Sequence, residues 1–225
     1  MDSPFPALFF ARQRGLAAAA LLLTAAGAAT AQAPADLPAS TRYRATALGL
    51  SMGWDAPYAF GLEISHLVTR RLDLNAGTGI GLSGTKLGVG ARYFLAPERR
   101  MSPYLGLNVV RSGGWSEIEL REGGGDDWYE GDGTRVGTLT VRPTTVLHLR
   151  SGLRWQPGRR PGRVGLIGSM GYGIRVSGNP MRYHMDAGQD QPDAVDRLAH
   201  RIVYAPGGLE VSLGLSIGLG QKMRE

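Results

Sequence analysis

The strongest constraint on this chain is an alternation with a period of two. From Leu72 to Leu82, the residues Leu72, Leu74, Ala76, Thr78, Ile80 and Leu82 fall on one face, and Asp73, Asn75, Gly77, Gly79 and Gly81 on the other. Successive side chains of a strand point to opposite sides, so this stretch reads as a strand with one apolar face and one small or polar face. The pattern recurs seven more times. It runs around Leu48–Met52, Phe60–Ile64, Leu87–Leu95, Leu105–Val109, Leu139–Leu153, Val164–Ile174 and Leu209–Leu219. Eight strands result, several of them long enough for the ~9–11 residues that a tilted strand needs to cross a bilayer.

The chain has 34 glycines, and many sit on the polar faces of these strands. Glycine on a water-facing surface only weakens a strand. Facing a narrow lumen, it makes room for Arg, Lys and Glu. The apolar faces are therefore expected to point outward into lipid, with Ile80 at the midplane, and the small and charged faces inward. Backbone groups in lipid must pair internally, so the sheet should close. The expected fold is all-β: a closed, antiparallel, up-and-down transmembrane β-barrel of eight strands, or ten if a long loop hides a hairpin. A soluble lipocalin-like binding barrel, with its apolar faces inward, is the alternative.

The ends and connections fit an exported barrel. Residues 1–31 read as a cleaved signal peptide: Arg12 and Arg14, the apolar run Leu16–Ala29, then Ala29-Thr30-Ala31 as a small-x-small exit. Residues 32–40 form a short linker, 41–221 the barrel and 222–225 a tail. With the N-terminus in the periplasm, the turns near 69–71, 96–102 and 156–163 are periplasmic. They carry Arg70, Arg71, Arg99, Arg100, Arg159, Arg160 and Arg163 against Glu98. The two long loops, 112–137 and 177–207, fall on the opposite side. The first holds Glu117, Glu119, Glu122, Asp126, Asp127, Glu130 and Asp132 against Arg121 and Arg135. Residues 192–203 are expected to form a short helix, since Asp193 and Asp196 suit a first turn. Tyr93 and Trp155 at the inner strand ends, with Trp54, Tyr58 and Tyr172 at the outer ends, suggest interfacial aromatic girdles. Cysteine is absent, which excludes a disulfide-stapled secreted domain.

The last strand carries a further signature. Ser212-Leu213-Gly214-Leu215-Ser216-Ile217-Gly218-Leu219 matches a polar-x-Gly-x-x-apolar-x-aromatic frame, except that Leu219 stands where the frame has an aromatic residue. With the eight alternating segments, this resembles the small bacterial outer-membrane barrels, the OmpA/OmpX-like and porin-like families, over residues 41–220. The resemblance implies residence in the cell outer membrane as a monomer. It also implies outer-membrane lipid as one partner and, through Gly214, Ile217 and Leu219, the barrel assembly machinery as another.

The inward faces hold Glu63, Asp73, Lys86, Arg92, Arg142, His148, Arg150, Arg154, Arg175 and Glu210. An eight-stranded barrel has an interior that side chains fill. These residues are expected to form a charge network that plugs the lumen, with Glu63 and Glu210 as partners for the arginines. The function expected is structural or surface interaction, through the two long loops and an extracellular ligand that the sequence does not identify. A small-solute channel and a lipid-modifying enzyme are the alternatives. For an enzyme, His148 and Ser151 point to opposite faces of one strand, and no nucleophile elbow, phosphate loop or dinucleotide fingerprint occurs in a suitable context. Tyr183, His184, Asp186, Asp193, Asp196 and His200 match no metal-site spacing. No metal, cofactor or nucleic-acid partner is expected.

Overall fold

A computed structural model of the chain describes residues 44–122, 134–157 and 163–222. The signal peptide and linker expected at 1–40, the loop acids Asp126, Asp127, Glu130 and Asp132, the turn residues Arg159 and Arg160, and tail residues 223–225 lie outside the described residues.

Eight strands close into an antiparallel barrel. They are β1 (Arg44–Trp54), β2 (Phe60–Leu67), β3 (Leu72–Gly81), β4 (Gly84–Phe94), β5 (Met101–Ser112), β8 (Thr144–Trp155), β9 (Val164–Arg175) and β11 (Leu209–Lys222). Each barrel strand pairs with its neighbours in chain order, and β11 returns to β1, Leu50 opposite Leu215, to close the ring. The expected eight-stranded up-and-down barrel is what the chain forms.

The faces also divide as the alternation implies. Leu50, Leu62, Ile64, Val89, Leu107, Val211 and Leu213 point outward and are exposed, while Glu63, Asp73, Asn75, Arg92, Asn108, His148 and Glu210 point inward and are buried. The interior is polar, so a lipocalin-like barrel with apolar faces inward does not describe this chain. Trp54, Tyr93, Trp155 and Tyr172 are exposed on the outer face near strand ends. Arg71, in the β2–β3 turn, donates to the Tyr93 hydroxyl at 3.3 Å, which holds the guanidinium cationic.

Ile80 belongs to the outer face, but not to its middle. It is the penultimate residue of β3 and pairs with Phe60, the first residue of β2. The middle of the outer face lies lower, where Ile64 of β2 faces Ala76 of β3 and Ala76 faces Val89 of β4.

Both long connections leave the same end of the barrel, and each contains structure. The first holds β6 (Trp115–Glu122) and β7 (Thr134–Val141); the second holds β10 (Met181–Met185) and helix α1 (Ala194–Tyr204). The hairpin does not widen the barrel to ten strands. Instead β7 pairs with β10, giving a separate three-stranded sheet in the order β10–β7–β6. The alternation read as one strand over Leu139–Leu153 is two strands, β7 and β8, interrupted at Arg142 and Pro143. Pro180 interrupts the partner strand at the same level, where the Arg142 amide donates to the Pro180 carbonyl at 2.7 Å. Proline has no amide hydrogen for the ladder, so the ribbon breaks on both sides together.

This upper sheet, with α1, forms a cap with its own apolar core. Leu120, Val136, Leu139, Val141, Met181 and Ala205 are buried there, with Ile118, Tyr183, Met185 and Tyr204 packed around them. Helix α1 overlaps the expected 192–203 region and ends one residue beyond it, at Tyr204. Asp193 caps it, accepting from the amides of Val195 and Asp196 at 2.8 Å each. Leu139 is fully buried, so Leu139→Ala should cost the cap about 2–5 kcal/mol through lost contacts and a residual cavity. Hydrogen exchange will show faster exchange of β7 and β10 amides and unchanged protection of β3 and β4.

Candidate functional site: the barrel interior

The barrel interior gathers most of the polar side chains assigned to it. Three sub-networks stack along the lumen. In the lower part, Arg92 donates to Glu63 Oε1 at 2.7 Å and to Asp73 Oδ1 at 3.3 Å, and all three are buried. β2, β3 and β4 deliver these residues because they are neighbours, with Asp73 directly opposite Arg92 in the register. Below, Leu67, Phe94 and Tyr104 pack as a small apolar layer, with the Arg154 guanidinium 5.6 Å from the centre of the Phe94 ring.

In the middle, Tyr58 donates its hydroxyl to Asn75 Oδ1 at 3.0 Å. Asn108 Nδ2 donates to the Tyr58 oxygen at 3.1 Å and to Asn75 Oδ1 at 2.8 Å. Tyr58 comes from the β1–β2 connection, not from a strand. Residues 56–59 of that connection are buried, so the loop folds down into the mouth. Tyr58 is 2% exposed and takes no part in the outer aromatic girdle expected for it. Burial pushes its hydroxyl up to about 12. A raised value means that the fold favours the protonated phenol. The stability Tyr58 contributes is complete below its ordinary value near 10 and is lost as pH rises through about 12. A phenolate absorbance step near pH 12 that is missing from Tyr58→Phe is the expected titration.

In the upper part, Lys86 donates to Asp55 Oδ1 at 3.3 Å and to the Ala56 carbonyl at 2.9 Å. Burial holds the Asp55 carboxyl above the usual range against the pull of the Lys86 ammonium. His148 Nδ1 shares a 2.5 Å hydrogen bond with Glu210 Oε2, and both are buried. Glu210 was expected to pair with an arginine, but its partner here is the histidine. β9 separates β8 from β11, and Gly173, opposite His148, leaves the space through which the imidazole and the carboxylate meet.

Glycine provides room elsewhere as well. A Cβ on Gly49 would lie 2.6 Å from Glu63 Cγ, and one on Gly77 would lie 2.7 Å from the Tyr58 ring. Space for the buried charges and for the intruding tyrosine is therefore built into the small faces of β1 and β3.

Two of the assigned residues stand apart. Arg142 is exposed in the β7–β8 connection, because β7 belongs to the cap. Arg175 pairs with the inward-facing Val146 but is exposed at the end of β9. The charge balance changes as a result. Among the described residues, Lys86, Arg92, Arg150 and Arg154 are buried inside with Glu63, Asp73, His148 and Glu210, and Asp55 joins them from the β1–β2 connection; Lys86 pairs with Asp55, Arg92 with Glu63 and Asp73, and His148 with Glu210. Asp55 and Tyr58 were not foreseen as interior residues, since neither lies in an alternating segment.

Ser151 is paired with Met170 on the face opposite His148, so the two cannot act together. In the cap, the Tyr183 hydroxyl and His200 Nδ1 are 3.4 Å apart, and Arg197 and Arg201 lie near Tyr183. Among the described residues, no group of three His, Cys, Asp or Glu is placed to hold a metal ion. Gly214, Ile217 and Leu219 all lie in β11, with Gly214 on the inner face and Ile217 and Leu219 on the outer.

No protein-family model matches the chain, and no curated protein sequence matches it. Solved structures similar in fold include the following three. The N-terminal β-barrel domain of Pseudomonas aeruginosa OprF aligns with a TM-score of 0.42 at 10% identity, over 79% of this chain and 98% of that one. Acinetobacter baumannii CarO aligns with a TM-score of 0.38 at 11% identity, over 78% and 98%. A major outer membrane protein from Thermus thermophilus aligns with a TM-score of 0.40 at 13% identity, over 78% and 100%.

Proposed function

We propose that this chain is a monomeric outer-membrane β-barrel protein with a plugged lumen, which acts at the cell surface through its cap. The observation that carries the reading is the reversed arrangement of the barrel: large apolar side chains exposed around its outside and paired charges buried within. An apolar outer band on a closed barrel suits lipid, where every backbone group must be paired internally. The end bearing Arg70, Arg71, Arg99 and Arg100 faces the periplasm, and the cap faces outward. The signal peptide expected at residues 1–31 brings the chain through the inner membrane. Assembly uses the β11 signal around Gly214, Ile217 and Leu219.

Among the described residues, the ion pairs of Arg92 with Glu63 and Asp73, Lys86 with Asp55 and His148 with Glu210 across the interior favour a filled core over an anion pore. So does the Tyr58–Asn75–Asn108 layer across the middle. With the lumen filled, the cap is the part that meets an extracellular ligand. Purified protein refolded from urea into detergent should run faster on gels before boiling than after it. In planar bilayers it should show no conductance above leak. A steady channel current would overturn the plugged reading, and failure to fold with detergent or lipid would overturn the membrane barrel.

A further inference from the structure

Helix α1 is amphipathic in the reverse of the usual sense. His200 and Tyr204 are half-buried on its inner side. The His200 ring lies 5.9 Å from that of Tyr183 in β10 and 6.2 Å from that of Tyr204, and Tyr204 packs on the cap core. Val195, Leu198 and Ile202, at helical spacing on the other side, are 72%, 58% and 60% exposed. A helix on a soluble cap would turn this stripe inward.

Two observations identify what covers it. First, Ile202 lines one cleft of about 490 Å³ together with Met52, Trp54, Phe60, Ile80 and Trp115. Met52, Trp54, Phe60 and Ile80 are the upper edge of the exposed apolar band, so the helix stripe continues that band upward. The cleft lies within the ~300–1,000 Å³ range of small-molecule sites. Second, the stripe is bordered by exposed Arg197 and Arg201. With Leu198, Asn179 and Tyr183 they line a second depression of about 510 Å³. Asp193 and Asp196 stand at the N-terminal end of the helix, where they cap it and lie in its first turn. The apolar stripe and the arginines on its border are the two chemistries of an interfacial helix on an anionic lipid surface.

We infer that α1 lies in the outer face of the bilayer beside the barrel and binds a phosphate-bearing lipid, with the acyl chain in the cleft under Ile202 and the phosphate at Arg197 and Arg201. This rests on the bilayer reading above.

Because the chain has no cysteine, single labelling sites are clean. Leu62→Cys on the barrel, Leu198→Cys on α1 and Gln189→Cys in the exposed loop are each spin-labelled in the full protein, which is refolded into phosphatidylcholine vesicles containing phosphatidate. A water-soluble nickel relaxer should reach the Leu198 label several-fold less than the Gln189 label, while oxygen reaches it as it reaches Leu62. If Leu198 matches Gln189 and Leu62 stays shielded, the helix is not in lipid and the inference fails alone. If Leu62 is itself open to nickel, the bilayer reading fails and takes the inference with it. The headgroup is read separately, in protein whose other tryptophans are changed to phenylalanine. Brominated phosphatidate should quench Trp115 more strongly than brominated phosphatidylcholine, and Arg197→Gln with Arg201→Gln should abolish the difference. Equal quenching in the unmutated arginine background would overturn the phosphate site.

Discussion

Arg92→Met lowers barrel stability by about 3–5 kcal/mol, the cost of leaving buried carboxylates without their cation. Arg92 is the shared partner of Glu63, at 2.7 Å, and of Asp73, at 3.3 Å. Methionine keeps much of the volume, so the loss is electrostatic. Two carboxylates would then sit in a closed interior with only each other and the more distant Arg150 and Arg154. Urea unfolding of protein refolded in detergent gives the number. The triple variant Arg92→Met, Glu63→Gln, Asp73→Asn discriminates the cause. It should recover most of the loss, because neutral amides in a polar lumen carry no uncompensated charge. A triple variant as unstable as the single one would mean that Arg92 acts by packing.

The second large effect is on the outer face. Ile64→Arg, at the middle of the barrel wall opposite Ala76, should cost about 2–4 kcal/mol of insertion free energy, whereas Ile80→Arg, near the upper edge, should cost about 0–1 kcal/mol. Both residues are exposed on the barrel, so neither variant opens a cavity in a protein core. The comparison therefore isolates the surrounding medium. Folding yields in vesicles, titrated with urea, should rank Ile64→Arg well below Ile80→Arg. Equal yields would mean that the band does not face lipid.

The barrel was legible because its information is local. A period of two is set by strand geometry alone, so the outer positions Leu62, Leu87 and Leu213 and the inner positions Glu63, Lys86 and Ser212 could be sorted without knowing which strands touch. The same logic placed Arg92 in the lumen. It could not choose partners across the barrel, because that depends on closure and tilt. Glu210 therefore went to an arginine in expectation and to His148 in fact. Tyr58 and Asp55 escaped because a loop that folds into a mouth has no periodicity to reveal it. Arg142 was misassigned for the opposite reason. β7 and β8 share a continuous alternation, yet their apolar residues face different surroundings: Leu139 and Val141 a protein core, Leu149 and Leu153 the outside. Pro143 was the available signal, since a proline inside a ladder argues for a break.

The breaks between barrel and cap have a consequence for how such a chain can change. Every crossing carries glycine or proline: Gly113-Gly114 after β5, Pro143 before β8, Gly178 and Pro180 after β9, and Gly207-Gly208 before β11. The cap has its own core, and the barrel has its own lumenal networks. The crossings act as splice points, so the cap is a cassette whose sequence can drift or be replaced while the scaffold beneath it keeps its register. A lineage could revise the cap without rebuilding the wall that carries it.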